Sequence, residues 1–258
     1  MTAVQLNAEI DGPPDAPVLL LGGSLGTTVE MWEPQVATLS QDNRLVRFDL
    51  RGHGGSPVPS GPYSMDDLGG DVLALMDRLG LARASYCGVS IGGMVGQWLG
   101  IHAPERIDRL VLICTSAYLP PAENWHERAR AVREAGTPEA VADAVVARWF
   151  TPQFAAREPA VVHRHRTMIG SIAAEGYAGC CEAIAGMDLR SGLQRIAAPT
   201  LVLAGAQDPA ITPEHGEAIA AAVPGARLEV LDPGAHLLSV ERAGEVTQLI
   251  AAHVGGTT

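Results

Sequence analysis

Short apolar runs alternate with helical patterns along most of the chain, and this alternation restricts the fold more than any other feature. Between the runs, residues 65–79 and 91–102 have the side-chain spacing of helices. The pattern predicts an α/β fold, with a mainly parallel sheet covered by helices on both faces. Six runs are bounded by Gly, Pro or Asp and resemble buried strands: residues 18–22, 45–49, 84–88, 109–115, 200–205 and 228–231.

The strand signal stops between residues 117 and 193, where the chain becomes helical and rich in Ala and Arg. Because the signal resumes at Thr200, this stretch is predicted to be a helical cap inserted between two strands. The chain then divides into a first core part (1–116), the cap (117–193) and a second core part (194–258). A chain of 258 residues is long enough to bury a large core as one globular unit.

The run 84–88 leads directly into Gly88-Val89-Ser90-Ile91-Gly92, a GxSxG sequence between a predicted strand and a predicted helix. A nucleophile in this setting protrudes from a very tight turn, and the two glycines remove side chains that would collide with neighbouring backbone. Ser90 is therefore the candidate nucleophile. The start of the next helix directs N–H groups toward a developing oxyanion, and the Ile91 N–H is the first candidate donor.

A serine hydroxyl is a weak nucleophile until a base, itself positioned by an acid, takes its proton. Among eight histidines, His236 lies in the loop after the last predicted strand, which faces the carboxyl edge of the sheet. Asp208 follows the run 200–205 and is the acid suitably placed at that edge. Ser90, Asp208 and His236, in this chain order, form the predicted catalytic triad. The alternative, that Asp208 is only a turn aspartate before a proline, stays open.

The loop after the run 18–22 reads Gly22-Gly23-Ser24-Leu25-Gly26-Thr27 and brings flexible backbone to the same edge. We expect the Leu25 N–H to be the second donor of the oxyanion hole. Glycine-rich loops also bind phosphates, but this loop lacks the GxGxxG spacing of a dinucleotide site. A nucleotide site is therefore the weaker interpretation.

Charge and composition exclude several classes of function. The formal net charge of −11 disfavours nucleic acid and anionic membrane surfaces as partners. All 18 basic residues are arginines, so no lysine can form a Schiff base or complete a P-loop. No apolar run has the length of a membrane span. The run 18–21 comes too late, behind Asp11 and Asp15 and without a cationic leader, to be the core of a signal peptide, and a cytoplasmic protein is expected. The four cysteines lack zinc-site spacing and are expected to be reduced, mostly buried thiols.

These motifs together resemble the α/β-hydrolase superfamily over nearly the whole chain. Residues 49–56, Asp-Leu-Arg-Gly-His-Gly-Gly-Ser, look like the DxRGxGxS loop of that superfamily. The resemblance implies structural roles for Arg51 and His53. More narrowly, four segments resemble the 3-oxoadipate enol-lactonases: residues 22–32, 88–100, 147–152 and 177–190.

That narrower resemblance implies hydrolysis of 3-oxoadipate enol-lactone to 3-oxoadipate in the β-ketoadipate pathway of aromatic degradation. The substrate is a small anionic lactone, the reaction proceeds through an acyl-enzyme, and no metal or organic cofactor is implied. A local cation is needed because the overall field of the protein repels the substrate carboxylate. Seven arginines of the cap are candidates, and the sequence does not choose among them: Arg128, Arg130, Arg133, Arg148, Arg157, Arg164 and Arg166.

Two alternatives stay open at this point. A general small-ester hydrolase or a perhydrolase of the same fold would share the triad and differ in the cap. A small-molecule receptor on a hydrolase fold would keep the triad and use binding as its output. The sequence is compatible with a homo-oligomer and does not decide the oligomeric state.

Overall fold

The computed structural model describes residues 2–255. Seven strands in this range form one sheet: β1 (Ala8–Asp11), β2 (Val18–Gly22), β3 (Arg44–Phe48), β4 (Ala84–Val89), β5 (Ile107–Ile113), β6 (Thr200–Gly205) and β7 (Arg227–Leu231). Eleven α-helices lie in the same range: α1 (Glu33–Leu39), α2 (Met65–Arg78), α3 (Ile91–His102), α4 (Ala122–Ala135), α5 (Glu139–Trp149), α6 (Pro152–Arg157), α7 (Pro159–Ser171), α8 (Ala174–Ala185), α9 (Pro213–Ala222), α10 (Leu238–Glu241) and α11 (Ala243–Gly255).

The sheet has the strand order β1-β3-β2-β4-β5-β6-β7, and its neighbouring strands are parallel except for β1 with β3. The register brings the strand ends level, because Gly22 pairs with Gly88 and Gly205 pairs with Leu231. The loops that follow β2, β4, β6 and β7 therefore open at one edge of the sheet. The predicted mainly parallel α/β sheet is confirmed.

All six predicted strands are present, with ends shifted by two residues at most. The sequence did not reveal β1, because this short strand contains Glu9 and Asp11 and lies at the edge of the sheet, only partly buried. Polar residues on a half-exposed edge strand leave no apolar run to detect. The helix α3 has the predicted bounds, and α2 begins at the predicted residue, where Ser64 and Asp67 form a capping box.

Five helices, α4 to α8, lie between β5 and β6, in the stretch where the strand signal stops. Within this group α4 packs against α8, and α5 packs against α7. An isolated antiparallel bridge joins Tyr118 to Asp188, and the Leu189 N–H donates to the Ala117 carbonyl oxygen at 2.8 Å. The two ends of the inserted stretch therefore meet where it joins the core. We refer to residues 117–193 as the cap.

The cysteines match their predicted state, since all four are free and buried: Cys87, Cys114, Cys180 and Cys181. Burial raises the pKa of each thiol, so these side chains stay protonated and unreactive at neutral pH. None of the helices in residues 2–255 combines the length and the apolar character that crossing a membrane requires.

Candidate active site

Ser90 occupies a strained turn between β4 and α3, with φ 57° and ψ −117°. A Cβ atom on Gly88 would lie 2.3 Å from the carbonyl oxygen of Gly92, and a Cβ on Gly92 would lie 2.4 Å from the Gly22 carbonyl oxygen. Both distances are far below van der Waals contact, so the turn needs glycine at each position. The GxSxG glycines thus let β4 and α3 approach closely enough for Ser90 to project at the sheet edge.

The end of β5 holds this turn in place. The Ser90 N–H donates to the Ile113 carbonyl oxygen at 2.9 Å, and the Thr115 hydroxyl donates to the Ser90 carbonyl oxygen at 2.7 Å. Thr115 also faces Gly93, where an added Cβ would lie 2.6 Å from the threonine Cβ. The contact of Thr115 with the candidate nucleophile could not be inferred from the sequence.

Asp208 and His236 are in direct contact at the same edge. The imidazole Nδ1 lies 2.7 Å from Oδ2 of Asp208, and both side chains are buried. The other carboxylate oxygen accepts the N–H groups of Ala210 at 2.8 Å and Ile211 at 3.0 Å. Because Nδ1–H donates to a carboxylate fixed in this way, Nε2 of His236 is left as the proton acceptor.

Ser90 and His236 line one pocket. Within residues 2–255 the Ser90 hydroxyl forms no hydrogen bond with His236, so this contact stays a prediction. Nucleophile–base contacts are often long before substrate binds.

The two candidate oxyanion donors lie on backbone segments that pack against each other. Ile91 is the first residue of α3, and Leu25 lies in the loop after β2, whose Gly22 and Gly23 carbonyl oxygens contact Gly92. Neither the Leu25 N–H nor the Ile91 N–H donates a hydrogen bond to an acceptor among the described residues. Both donors are therefore free for a ligand oxygen.

His53 holds the loop after β2. Its Nε2 accepts the Gly26 N–H at 3.0 Å, so Nδ1 carries the proton and donates to the Arg51 carbonyl oxygen at 3.2 Å. Burial lowers the pKa of His53 to about 4, which keeps the ring neutral and able to accept. Arg51 itself is fully buried and donates to both carboxylate oxygens of Asp71. The contact with Gly26, next to Leu25, could not be inferred from the sequence.

The pocket above Ser90 is lined from both parts of the chain, and roughly 500 Å³ of empty space lies in it, including its open mouth. The sheet edge contributes the residues that flank Ser90, and the cap contributes aromatic, aliphatic and arginine side chains. The lining residues are Ser24, Leu25, Ser90, Leu119, Trp125, Arg128, Val145, Arg148, Trp149, Tyr177, Ile184, Ala210, Ile211 and His236.

The structure separates the seven candidate arginines of the cap into three groups. Four form ion pairs with acidic residues: Arg133, Arg157, Arg164 and Arg166. Arg130 is exposed to solvent. Arg128 and Arg148 line the pocket, and neither forms an ion pair with a described residue. The sequence could not make this distinction, because the acidic partners of Arg133, Arg164 and Arg166 come from other helices and loops, although Arg157 pairs with the adjacent Glu158.

The two pocket arginines lie close enough to influence each other. Burial and the proximity of Arg128 lower the pKa of Arg148, although a guanidinium remains charged at neutral pH. Arg128 also lies over the Trp125 ring, 4.7 Å from its centroid. Burial raises the pKa of the Tyr177 hydroxyl, which lines the same pocket near Arg128 and Arg148. Two cations and a phenol in one pocket favour a ligand that carries negative charge.

Residues 2–255 contain no group of three or more His, Cys, Asp or Glu side chains arranged to hold a metal ion. The chemistry available from the described side chains is a serine nucleophile, an imidazole base and two backbone donors. These groups are the ones that acyl transfer requires.

Comparisons with known proteins agree with this geometry. A family model described as the alpha/beta hydrolase fold matches residues 16–243. The chain is 43% identical over 240 residues to 3-oxoadipate enol-lactonase 2 of Acinetobacter baylyi, covering 93% of this chain and 89% of the relative.

Two solved structures are similar over nearly their whole length. The enol-lactonase from Burkholderia xenovorans LB400 has a TM-score of 0.95 and 43% identity, covering 98% of this chain and 97% of that chain. A thermophilic esterase from Thermogutta terrifontis, with malate bound, has a TM-score of 0.91 and 31% identity, covering 98% of this chain and 93% of that chain. The chain therefore belongs to the α/β-hydrolase family, resembles the 3-oxoadipate enol-lactonases within it, and is a carboxylic-ester hydrolase.

Proposed function

We propose that the protein hydrolyses 3-oxoadipate enol-lactone to 3-oxoadipate, a step of the β-ketoadipate pathway, through an acyl-enzyme on Ser90. The observation that carries this proposal is the pair Arg128 and Arg148 in the same pocket as Ser90, neither of which forms an ion pair with a described residue. A hydrolase for neutral esters has no use for two unpaired cations beside its nucleophile. A lactone with a carboxylate side arm supplies the negative charge that pairs with these two arginines.

In the first half-reaction, His236 takes the proton of the Ser90 hydroxyl, and the serine oxygen attacks the lactone carbonyl. Asp208 holds the imidazole and stabilises the imidazolium that forms. The N–H groups of Leu25 and Ile91 donate to the tetrahedral oxyanion. When this intermediate collapses, the ring C–O bond breaks and the enolate oxygen leaves. The imidazolium returns the proton, and the resulting enol becomes a ketone.

In the second half-reaction, His236 takes a proton from water, which attacks the acyl carbonyl of the Ser90 ester. The same backbone donors stabilise the second tetrahedral intermediate. Its collapse breaks the bond to Ser90, which recovers its proton from His236, and 3-oxoadipate is released. Because the leaving group of the first step stays tethered to the acyl chain, the whole product departs only here.

The arginine pair also resolves the conflict between an anionic substrate and a protein of net charge −11. Two unit charges 4 Å apart attract by about 4 kcal/mol at an effective dielectric constant of about 20. Salt screens charges that lie more than about 8–10 Å away, so the distant acids contribute little in the pocket. Local attraction by Arg128 and Arg148 therefore outweighs the overall repulsion.

The named relatives support the same substrate class. Two 3-oxoadipate enol-lactonases of Acinetobacter baylyi are 43% and 34% identical to this chain. The related esterase from Thermogutta terrifontis binds malate, a small dicarboxylate, in its solved structure. Both facts favour a pocket for a small substrate with a carboxylate group.

The proposal is tested by comparing turnover of 3-oxoadipate enol-lactone with turnover of p-nitrophenyl acetate by the same preparation. We expect a higher kcat/KM for the enol-lactone. A preference for the simple ester would contradict the lactonase assignment and favour a general ester hydrolase of this fold. A receptor would bind the lactone without turning it over, with Ser90→Ala and wild type behaving alike.

A further inference from the structure

Glu241 is a buried carboxylate that the proposed mechanism does not use. It lies at the end of α10, five residues after His236, and is 9% exposed. It forms no ion pair with a described residue. A buried carboxylate is costly unless hydrogen bonds replace its lost hydration, so the groups that surround it indicate what it does.

The partners of Glu241 come from two different parts of the molecule. On the cap side, Oε1 accepts the hydroxyl of Thr151, and both carboxylate oxygens accept the Thr151 N–H at 3.3 Å. On the core side, Oε2 accepts the Ala235 N–H at 3.0 Å. Ala235 directly precedes His236. One carboxylate therefore joins the segment after α5 to the loop that carries the proposed base.

A second hydrogen bond joins the same two segments on the other side of His236. The Leu237 N–H donates to the Trp149 carbonyl oxygen at 2.9 Å. The cap backbone at residues 149–151 is thus linked through Glu241 to Ala235, the residue before His236. It is also bonded directly to Leu237, the residue after His236. Arg148 immediately precedes this bonded segment and Trp149 is its first residue, and both line the pocket.

We propose that Glu241 is a positioning residue that fixes the base loop and the arginine-bearing end of α5 as one unit. Because the carboxylate accepts donors from both segments, neither segment shifts relative to the other without leaving a buried charge unsatisfied. His236 and Arg148 therefore keep a constant separation in the pocket. The inference rests on the proposed function, in which His236 is the base and Arg148 binds the substrate.

The test uses Glu241→Gln, Glu241→Ala, Thr151→Val and Thr151→Ser, with steady-state kinetics on enol-lactone and a thermal melt for each. We expect kcat/KM to fall about tenfold in Glu241→Gln, which keeps the volume but loses one acceptor, and up to about a hundredfold in Glu241→Ala. Both kcat and KM should change, because the base and the substrate-binding arginine are displaced together. Thr151→Val should resemble Glu241→Ala, and Thr151→Ser should restore values close to wild type.

Ile219→Ala is the matched control for lost stability. Ile219 is fully buried on α9 and lies outside the pocket, so its truncation should lower Tm and leave KM unchanged. If the Glu241 and Thr151 variants behave like this control, with a lower Tm and an unchanged KM, the positioning role is overturned. A combined Thr151→Val/Glu241→Ala variant no worse than either single variant supports it, and additive effects of the two contradict it.

Failure of this inference differs from failure of the proposed function. If Ser90→Ala and His236→Ala are inactive while the Glu241 variants keep wild-type kcat and KM, only the positioning role is overturned. If His236→Ala retains wild-type turnover of enol-lactone, the proposed mechanism fails and the positioning role fails with it.

Discussion

The carboxyl edge of the sheet and the cap form one pocket, but they contribute to it by different physical means. At the sheet edge, the proposed reacting groups stand where strands end, and backbone contacts such as those around Ser90 hold them. In the cap, Arg128 and Arg148 are side chains on helix faces, and they are singled out by lining the pocket without an ion pair to a described residue. The proposed chemistry therefore depends on backbone geometry, whereas the proposed substrate choice depends on side-chain surroundings.

The largest effect should come from removing the nucleophile at the sheet edge. We expect Ser90→Ala to lower kcat on enol-lactone by about a million-fold, because the attacking oxygen is lost. Binding of 3-oxoadipate, measured by calorimetry, should stay close to wild type, since the cap arginines are intact. Residual turnover within a hundredfold of wild type would show that another group attacks the carbonyl.

The second effect tests the acid at the same edge. Asp208→Asn keeps the oxygen that accepts the Ala210 and Ile211 N–H groups but no longer fixes the His236 tautomer. We expect kcat to fall about ten-thousandfold with little change in Tm. The matched control is Asp232→Asn, at an exposed position near the end of β7, which should keep wild-type kcat. Equal behaviour of the two variants would reject the proposed triad.

The third effect concerns the cap, and it tests whether the cap arginines act on substrate charge and not on the chemistry of the sheet edge. Arg148→Gln and Arg128→Gln should each lower kcat/KM on enol-lactone about ten- to a hundredfold, because each removes a charged hydrogen-bond donor. Turnover of neutral p-nitrophenyl acetate should change by about threefold or less. Arg130→Gln, at an exposed position of α4, is the control and should leave both substrates unaffected. Equal losses on both substrates would mean that the arginines do not select charge.

The smallest effect concerns the loop that carries Leu25, and it is a change of the free energy of unfolding with pH. Burial lowers the folded-state pKa of His53 to about 4 from its usual 6.5, so the unfolded chain binds more protons between these values. Stability should therefore fall as the pH drops from about 6.5 to 4, by up to roughly 3 kcal/mol from this residue.

His53→Gln should flatten this dependence, because glutamine does not titrate. Urea unfolding at pH 7, 5.5 and 4 would measure the free energy of unfolding of the wild type and of His53→Gln. His165 and His253, whose pKa values burial also lowers, are present in both and cancel in the comparison. Parallel pH profiles for the two proteins would show that His53 is not held neutral in the fold.

Local rules in the sequence were enough to predict most of the sheet edge. Glycines on both sides of Ser90 predicted a turn that the structure contains. The strand pattern predicted that Asp208 and His236 lie at the same edge, and in the structure His236 Nδ1 lies 2.7 Å from Asp208 Oδ2. The strand β1 was missed because its alternation of acidic and apolar residues carries no buried run. The bonds made by Thr115 and His53 were missed because each joins segments that are distant in sequence.

The cap was predictable as helical but not as a binding surface. Seven arginines looked equivalent in sequence, since the acids that pair with three of them come from distant positions, such as Glu175 for Arg133. Whether a cap arginine is available for a substrate therefore depends on the charges that surround it after folding. The same applies to Glu241, whose partners Thr151 and Ala235 meet only in the folded protein.

The most direct test of the account compares two substrates that differ only in charge. Wild-type kcat/KM is measured for 3-oxoadipate enol-lactone and for its analogue in which the side-arm carboxylate is a carboxamide. We expect the charged lactone to be preferred by about ten- to a hundredfold, because only it pairs with Arg128 and Arg148. Equal kcat/KM for the two lactones would contradict the claim that the cap selects an anionic substrate for the chemistry of the sheet edge.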